Sequence, residues 1–414
     1  MRLLILGGGR AQLSAIKKTK ELGHQVIVSD YLKDAPGRPL ADHAELVSTF
    51  DIKDNIRVGQ NYDIDGVITI GTDQPVYTAA AVADKLNLNT FIDKTTAKAV
   101  TNKRVMKNIF KKNNIPTAQF KIIDKNFKKK ELKDIHFPAV IKPLDSQGQR
   151  GVFRINSIEE VSLYFKDVLE FSREDEILIE EYYESDEITI SGWVEQGKTN
   201  ILTITDRITY EQARHIGICT AHIFPSRYLH NYFREIENIS KKIVRFFNIK
   251  NGPIYFQFLV GEKGIKVNEI ACRIGGAYEA DFIPLITGVD ILKMVIRAAL
   301  GQSIDLKQLN NYNILNNDNW LSVQLFFAKR GKVQSIGNID EIKKMDDLIK
   351  IELNYEVGDT ISKIQNATAR AGYFIIKGVS RHQLKENIRK VYDNLLINNE
   401  KGENLVLRQA GEVL

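Results

Sequence analysis

Two lysines, a series of acids and one arginine are the side chains of this 414-residue chain whose types and order point to chemistry. Lys103 follows Thr101-Asn102 at the start of a helical stretch, and Lys142 ends the apolar run Val140-Ile141 ahead of Pro143. An ammonium at such a helix or strand end can neutralise phosphate charge. Residues 145–151 form a polar loop between two strand-like runs, and a loop of that kind can close over a phosphate and exclude water. Glu180 and Glu181 end another apolar run, where a carboxylate can accept from an amine or from ribose hydroxyls. Gln257 and Glu269 sit on two successive strand-like runs, and oxygens on neighbouring strands can hold Mg²⁺. Arg273 lies close enough to that metal position to stabilise a phosphoryl group in transfer. Each residue taken alone is a weak signal, since a lone lysine is by default a solvated surface charge. Glu180 and Glu181 can equally be strand-end charges, and Arg273 can be a structural partner of Glu269. The order of the set carries the weight.

The elements that must position these residues are read from periodicity. Residues 3–6 are an apolar run, followed by Gly7-Gly8-Gly9, a helical stretch to residue 22 and a second strand over 25–30. This is the βαβ opening of a parallel sheet. A strand at 66–70 and a helix at 74–86 extend it, so residues 1–95 read as a doubly wound α/β domain. A helix spans 103–113, and the lysine-rich run 121–133 reads as a solvated face. Strands follow at 137–143, 152–155, 176–180 and 187–194, with Ser157 and Glu160 forming a capping box for the helix between the second and third. Strands at 254–260 and 265–270 are joined by Gly261-Glu262-Lys263-Gly264, a hairpin turn. An apolar helix covers 290–300, an Asn- and Gln-rich connector covers 301–320, and strands at 321–329 and 374–376 with a helix at 382–396 make a small α+β unit. The predicted division is 1–95, 96–310 with a mobile lobe over about 115–185, and 311–414.

This ordered series resembles the ATP-grasp superfamily, including biotin carboxylase, glycinamide ribonucleotide synthetase, carboxyaminoimidazole ribonucleotide synthase and bacterial L-amino acid ligases. The resemblance spans about residues 1–300 and is weaker over the tail. It implies an N-terminal parallel-sheet domain, a two-lobed α+β ATP-grasp domain and a small C-terminal α+β domain. It also implies a Mg-ATP-dependent ligase that activates a carboxylate as an acyl phosphate and couples it to an amine. By resemblance, Lys103 and Lys142 are the phosphate lysines, and Ser146, Gln147 and Gly148 belong to the phosphate-covering loop. Glu180, Glu181 and Tyr183 form the adenine-binding hinge, Glu187 holds the ribose and Leu259 packs on the adenine. Gln257 and Glu269 are the metal positions for Mg²⁺ or Mn²⁺, and Arg273, with Lys142, is catalytic. Gly8, Gly71, Asp73, His222, Gly275 and Gly276 are substrate-side candidates. For the glycines the plain alternative is a tight turn, and for His222 a structural histidine. A homodimer would be usual for such relatives.

Two metal positions depart from the family pattern. Gln257 stands where a Glu is common, which removes one negative charge, and Ala271 stands where an Asn is usual. Gln257 therefore keeps open a nucleotide-binding protein without ligase turnover. A purine-biosynthetic ligase of the phosphoribosylamine–glycine type is the nearer alternative. The glycines at 7–9 invite a dinucleotide reading, but the third glycine of the G-x-G-x-x-G pattern would fall at Gln12, so that motif is incomplete.

Bulk properties narrow the class. The chain has 58 basic and 52 acidic side chains spread along its length, which suits anionic small molecules better than a nucleic-acid footprint. Its two cysteines, Cys219 and Cys272, do not read as a secreted disulfide framework. No apolar run reaches the ~18 residues of a membrane span. The expectation is a cytoplasmic enzyme whose partners are a small carboxylate and an amine.

Overall fold

The computed structural model describes residues 1–212 and 215–408, without the side chains of residues 211, 212 and 215. The opening strands form a four-stranded parallel sheet ordered His43–Glu45, Gln25–Ser29, Arg2–Leu6 and Gly66–Ile68. Arg2–Leu6 is exposed only at its first residue, which is the run of apolar residues a doubly covered parallel strand needs. The helix Pro75–Leu86 buries eight residues between this sheet and the helices Ile52–Asn61 and Lys94–Thr101, and Pro75 suits its first turn because the missing N–H has no helical partner there.

A second, antiparallel sheet orders Phe120–Asp124, Glu176–Glu181, Ala139–Pro143 and Phe153–Ile155, and it has its own core with the helix Ile158–Leu169. The Ser157 hydroxyl does not cap that helix. Glu160 accepts instead from the N–H of Asn156, the residue ahead of the N-cap, at 2.8 Å, so the Ser157 half of the expected capping box is missing and the glutamate contact is shifted by one residue.

A third sheet has eight strands, in the order Gly264–Ala271, Gly252–Gly261, Asp186–Glu195, Lys198–Gln212, His215–Phe224, Trp320–Phe326, Gly372–Gly378 and Leu348–Leu353. The connector at 301–320 is not structureless: it carries the helix Lys307–Asn311 and a 3₁₀ turn at Ile314–Asn316. After it the chain adds Trp320–Phe326 directly to His215–Phe224, in register from Ala221 opposite Gln324 to Phe224 opposite Leu321. The last three strands therefore extend the central sheet, and Arg381–Asn394 covers them over a separate apolar cluster. Among the described residues no helix is long and apolar enough to cross a membrane.

Candidate active site

The three sheets meet at a cleft of about 770 Å³. Lys103 and Lys142 both reach it, from different elements. Asn102 caps the helix Lys103–Lys112 by accepting from the Val105 N–H, which puts Lys103 at the first helical position. Its Nζ lies 3.1 Å from Glu269 and donates to the Ser146 carbonyl at 2.8 Å. Lys142, on the strand Ala139–Pro143, pairs with Glu180 and donates to Asn268 Oδ1 at 3.1 Å. Burial by itself would raise the Glu180 carboxyl, but Lys107 and Lys142 outweigh it and hold it at about 2. Glu269 is likewise kept low against burial by Lys103 and Lys142.

Gln257 and Glu269 face each other across the antiparallel pair Gly252–Gly261 and Gly264–Ala271. The Gln257 amide nitrogen donates to the Tyr255 hydroxyl at 3.1 Å, while its oxygen is buried without a partner. An orphaned buried oxygen is costly unless a ligand completes it. With Glu269 opposite, this donor set fits a hard cation that takes one carboxylate, an amide oxygen, waters and substrate phosphates. Among the described residues, no group of three or more His, Cys, Asp or Glu side chains could hold a metal by itself.

Arg273 is buried, lies over the Tyr255 ring at 4.3 Å and pairs with Asp73 at 2.5 Å. Burial works against its charge, but Asp73 and other acids raise it further above the usual arginine value. Asp73 comes from the parallel-sheet domain, so this pair ties that domain to the central sheet. The loop 145–151 is drawn over the same place. Gln147 Oε1 accepts from the Asp73 and Gln74 N–H groups at 2.5 and 2.9 Å, at the start of the helix Pro75–Leu86. Gly148 and Gly151 have φ of +67° and +70°, values that let the loop double back here.

The hinge candidates lie along one wall. Tyr183 donates to the Gly264 carbonyl at 2.7 Å, and Glu181 Oε1 accepts from the His136 N–H at 3.3 Å. Glu187 pairs with Arg207 at 2.5 Å, and Leu259 lines the same cleft. Of the substrate-side candidates, Gly71, Asp73, His222 and Gly276 line the cleft, whereas Gly8 and Gly275 are set back from it. The Gly8 N–H is taken by Asp30 at 2.7 Å, and a Cβ on Gly275 would strike the Glu279 carboxylate at 2.2 Å.

The sequence reading missed Lys107, Arg207 and Glu279. Lys107 and Glu279 look like ordinary helix charges in the sequence, yet they are 1% and 0% exposed. Arg207 stands on a strand whose alternation would have shown that it shares a face with Thr205 and Thr203. Both cysteines are free and buried. Burial pushes the Cys272 thiol up to about 12 and raises Cys219 too, so neither is a nucleophile.

His222 is buried with Nδ1 hydrogen-bonded to Thr205 at 2.9 Å and Nε2 unpartnered, 3.9 Å from Glu279. Burial, with Arg207 and Arg370 nearby, holds its imidazole well below the ordinary 6.5. The fold keeps it neutral, so its contribution to stability is fully present above pH 6.5 and is lost as the pH falls below that value. The melting temperature is expected to fall between pH 6.5 and 5, with a slope of at most about 1.4 kcal/mol per pH unit from this residue. His222→Asn should flatten that slope; equal slopes in the two proteins would refute a neutral buried His222.

Residues 135–281 match the ATP-grasp domain, and residues 324–400 match the L-amino acid ligase C-terminal domain 2. The chain carries an ATP-grasp domain. It is 25% identical over 284 residues to a formate-dependent phosphoribosylglycinamide formyltransferase of Prochlorococcus marinus, covering 66% of this chain and 70% of that one. Its fold is similar to that of an L-amino acid ligase from Bacillus licheniformis, with a TM-score of 0.81 and 19% identity over 96% of this chain and 98% of that one. It is also similar to a phosphoribosylglycinamide synthetase from Anaerococcus prevotii, with a TM-score of 0.77 and 21% identity over 96% and 99% of the two chains. ATP-grasp proteins of this kind are ligases that form carbon–nitrogen bonds. The matched segment starts ahead of Lys142 and ends beyond Arg273, so it contains the loop 145–151, residues 180–183 and the facing pair Gln257 and Glu269.

Proposed function

We propose that the protein is an ATP-dependent ligase that phosphorylates the carboxylate of an amino acid or similar small acid and couples the acyl group to an amine. The observation that carries this reading is the convergence of Lys103, Lys142, Glu269 and Arg273 on one cleft, beneath a loop already docked across it. Adenine would lie at the hinge of Glu180, Glu181 and Tyr183, against Leu259, with the ribose on Glu187. Lys103, Lys142 and the loop residues Ser146, Gln147 and Gly148 would hold the phosphates. Gln257 and Glu269 would hold Mg²⁺, which when bound supplies charge neutralisation of the phosphates. Arg273 would stabilise the γ-phosphoryl group as it moves to the substrate carboxylate, and the closed loop would keep water from the acyl phosphate. Gly71, Asp73, His222 and Gly276 would face the carboxylate and amine, with Gly8 and Gly275 supporting the turns behind them. The division at 1–95, 96–310 and 311–414 would then give a substrate-side domain, a nucleotide domain and a C-terminal cover.

The match of residues 324–400 to an L-amino acid ligase domain favours an amino acid as the activated acid. The fold likeness to a phosphoribosylglycinamide synthetase favours a second reading, ligation of glycine to a phosphoribosylamine. A phosphate-release screen with Mg-ATP over carboxylates and amines, with hydroxylamine trapping, separates the two. Hydroxamates from amino acids other than glycine, with no need for a phosphoribosylamine, are expected; turnover confined to glycine with a phosphoribosylamine would favour the second reading. ATP binding with no phosphate release from any pair would count against ligase turnover altogether.

The Gln257 assignment makes its own prediction. Gln257→Glu restores a second carboxylate opposite Glu269 and is expected to lower the Mg²⁺ concentration for half-maximal phosphate release, by about tenfold for one added ligand charge. An unchanged Mg²⁺ requirement would place the metal elsewhere.

A further inference from the structure

Lys107 is a cleft cation to which the proposed reaction assigns no role. It lies one helical turn beyond Lys103, and its side chain is 1% exposed. Its Nζ sits 2.8 Å from one Glu180 oxygen and donates to the Thr117 hydroxyl at 2.7 Å. Thr117 in turn donates to the Val267 carbonyl at 2.8 Å. The other Glu180 oxygen is held by Lys142. One carboxylate is thus shared by two lysines that arrive from a helix and from a strand.

The charge balance of this triad gives Lys107 a task. Glu180 contributes one negative charge, and the two lysines contribute two positive ones. The buried triad carries a surplus of one positive charge. Without Lys107, Lys142 and Glu180 would form a neutral pair. A phosphate oxygen approaching Lys142 would then meet the opposing field of a carboxylate balanced by that lysine alone, in a site where charges are poorly screened. The tie through Thr117 to Val267 fixes Lys107 where it neutralises Glu180 and keeps it from reaching the phosphates itself.

We propose that Lys107 is a positioning residue that neutralises Glu180 and so leaves the charge of Lys142 available to the nucleotide phosphates. This rests on the ATP reading of the cleft. A merely structural buried ion pair would support the fold and affect every ligand alike; the proposed role favours ligands that carry phosphate.

The test is the ratio of MgADP to adenosine affinity, measured by calorimetry on the full chain. The ratio cancels any effect on the base. Lys107→Met is expected to lower it by about tenfold, from the loss of one buried charge. Lys107→Arg should keep the wild-type ratio. The double variant Lys107→Met/Glu180→Gln should return it to within about threefold of wild type, because the carboxylate that needed neutralising is gone. An unchanged ratio in Lys107→Met, or a double variant no better than the single one, overturns the proposal. If Lys107→Met does not fold, the double variant carries the test, and a ratio tenfold below wild type overturns it. A wild-type protein that binds neither MgADP nor MgATP would instead overturn the ATP reading.

Discussion

Lys142→Ala is expected to abolish ATP-dependent phosphate release, a loss of about a thousandfold or more if this lysine supplies charge to the transferring phosphates. The fold should survive. Glu180 keeps Lys107 at 2.8 Å, so removal of Lys142 does not leave a buried carboxylate unpaired. Lys142 also donates to Asn268, whose amide oxygen can turn to water when the ammonium is gone. The measurements are initial rates of phosphate release with the best carboxylate and amine found in the screen, and the melting temperature of both proteins. A variant that melts like wild type and has lost turnover supports the assignment. Turnover within tenfold of wild type would show that Lys142 does not act on the phosphates.

Arg273→Ala is expected to cut kcat by about 10³-fold while leaving the KM for ATP nearly unchanged, because an arginine aimed at the transferring phosphoryl group acts mainly in the transition state. Its partner matters for the design. Asp73 pairs with Arg273 at 2.5 Å, and burial raises the Asp73 carboxyl against the pull of Arg273. With the arginine gone, Asp73 can take a proton rather than stay buried and charged, which limits the cost to the fold. Arg273→Ala/Asp73→Asn removes the carboxylate altogether and should show the same kcat. If the double variant regains activity, Arg273 serves only to hold Asp73. Hydroxylamine trapping adds a second reading: both variants should form the hydroxamate slowly and in proportion to phosphate release. Phosphate released without hydroxamate would place the lesion in loop closure instead.

Much of the fold was legible because local patterns dictate it. The apolar run at residues 3–6, the glycines after it and the helix that follows define the parallel strand Arg2–Leu6 and its crossover from short-range information. The hairpin of Gly252–Gly261 and Gly264–Ala271 was equally readable, since its turn residues and alternation are contiguous. The eight-stranded sheet was not. Trp320–Phe326 pairs with His215–Phe224 across about a hundred residues, and nothing in either strand names its neighbour. The C-terminal segment therefore read as a separate unit, although its strands continue the central sheet.

What the sequence by itself determined is the set of chemical groups and their order: lysines at a helix start and a strand end, acids after apolar runs, a glycine-containing loop, and an arginine after Glu269. These follow from residue type and from periods of two and 3.6 residues. Only the tertiary structure decided which groups meet. It set Asp73 beside Arg273, docked Gln147 onto the helix Pro75–Leu86, placed Glu187 against Arg207, and buried Lys107 where Glu180 joins it to Lys142. Those contacts arise from sheet pairing and burial over distances that local periodicity does not encode, and burial is what turns ordinary surface charges into a site where one charge changes the outcome.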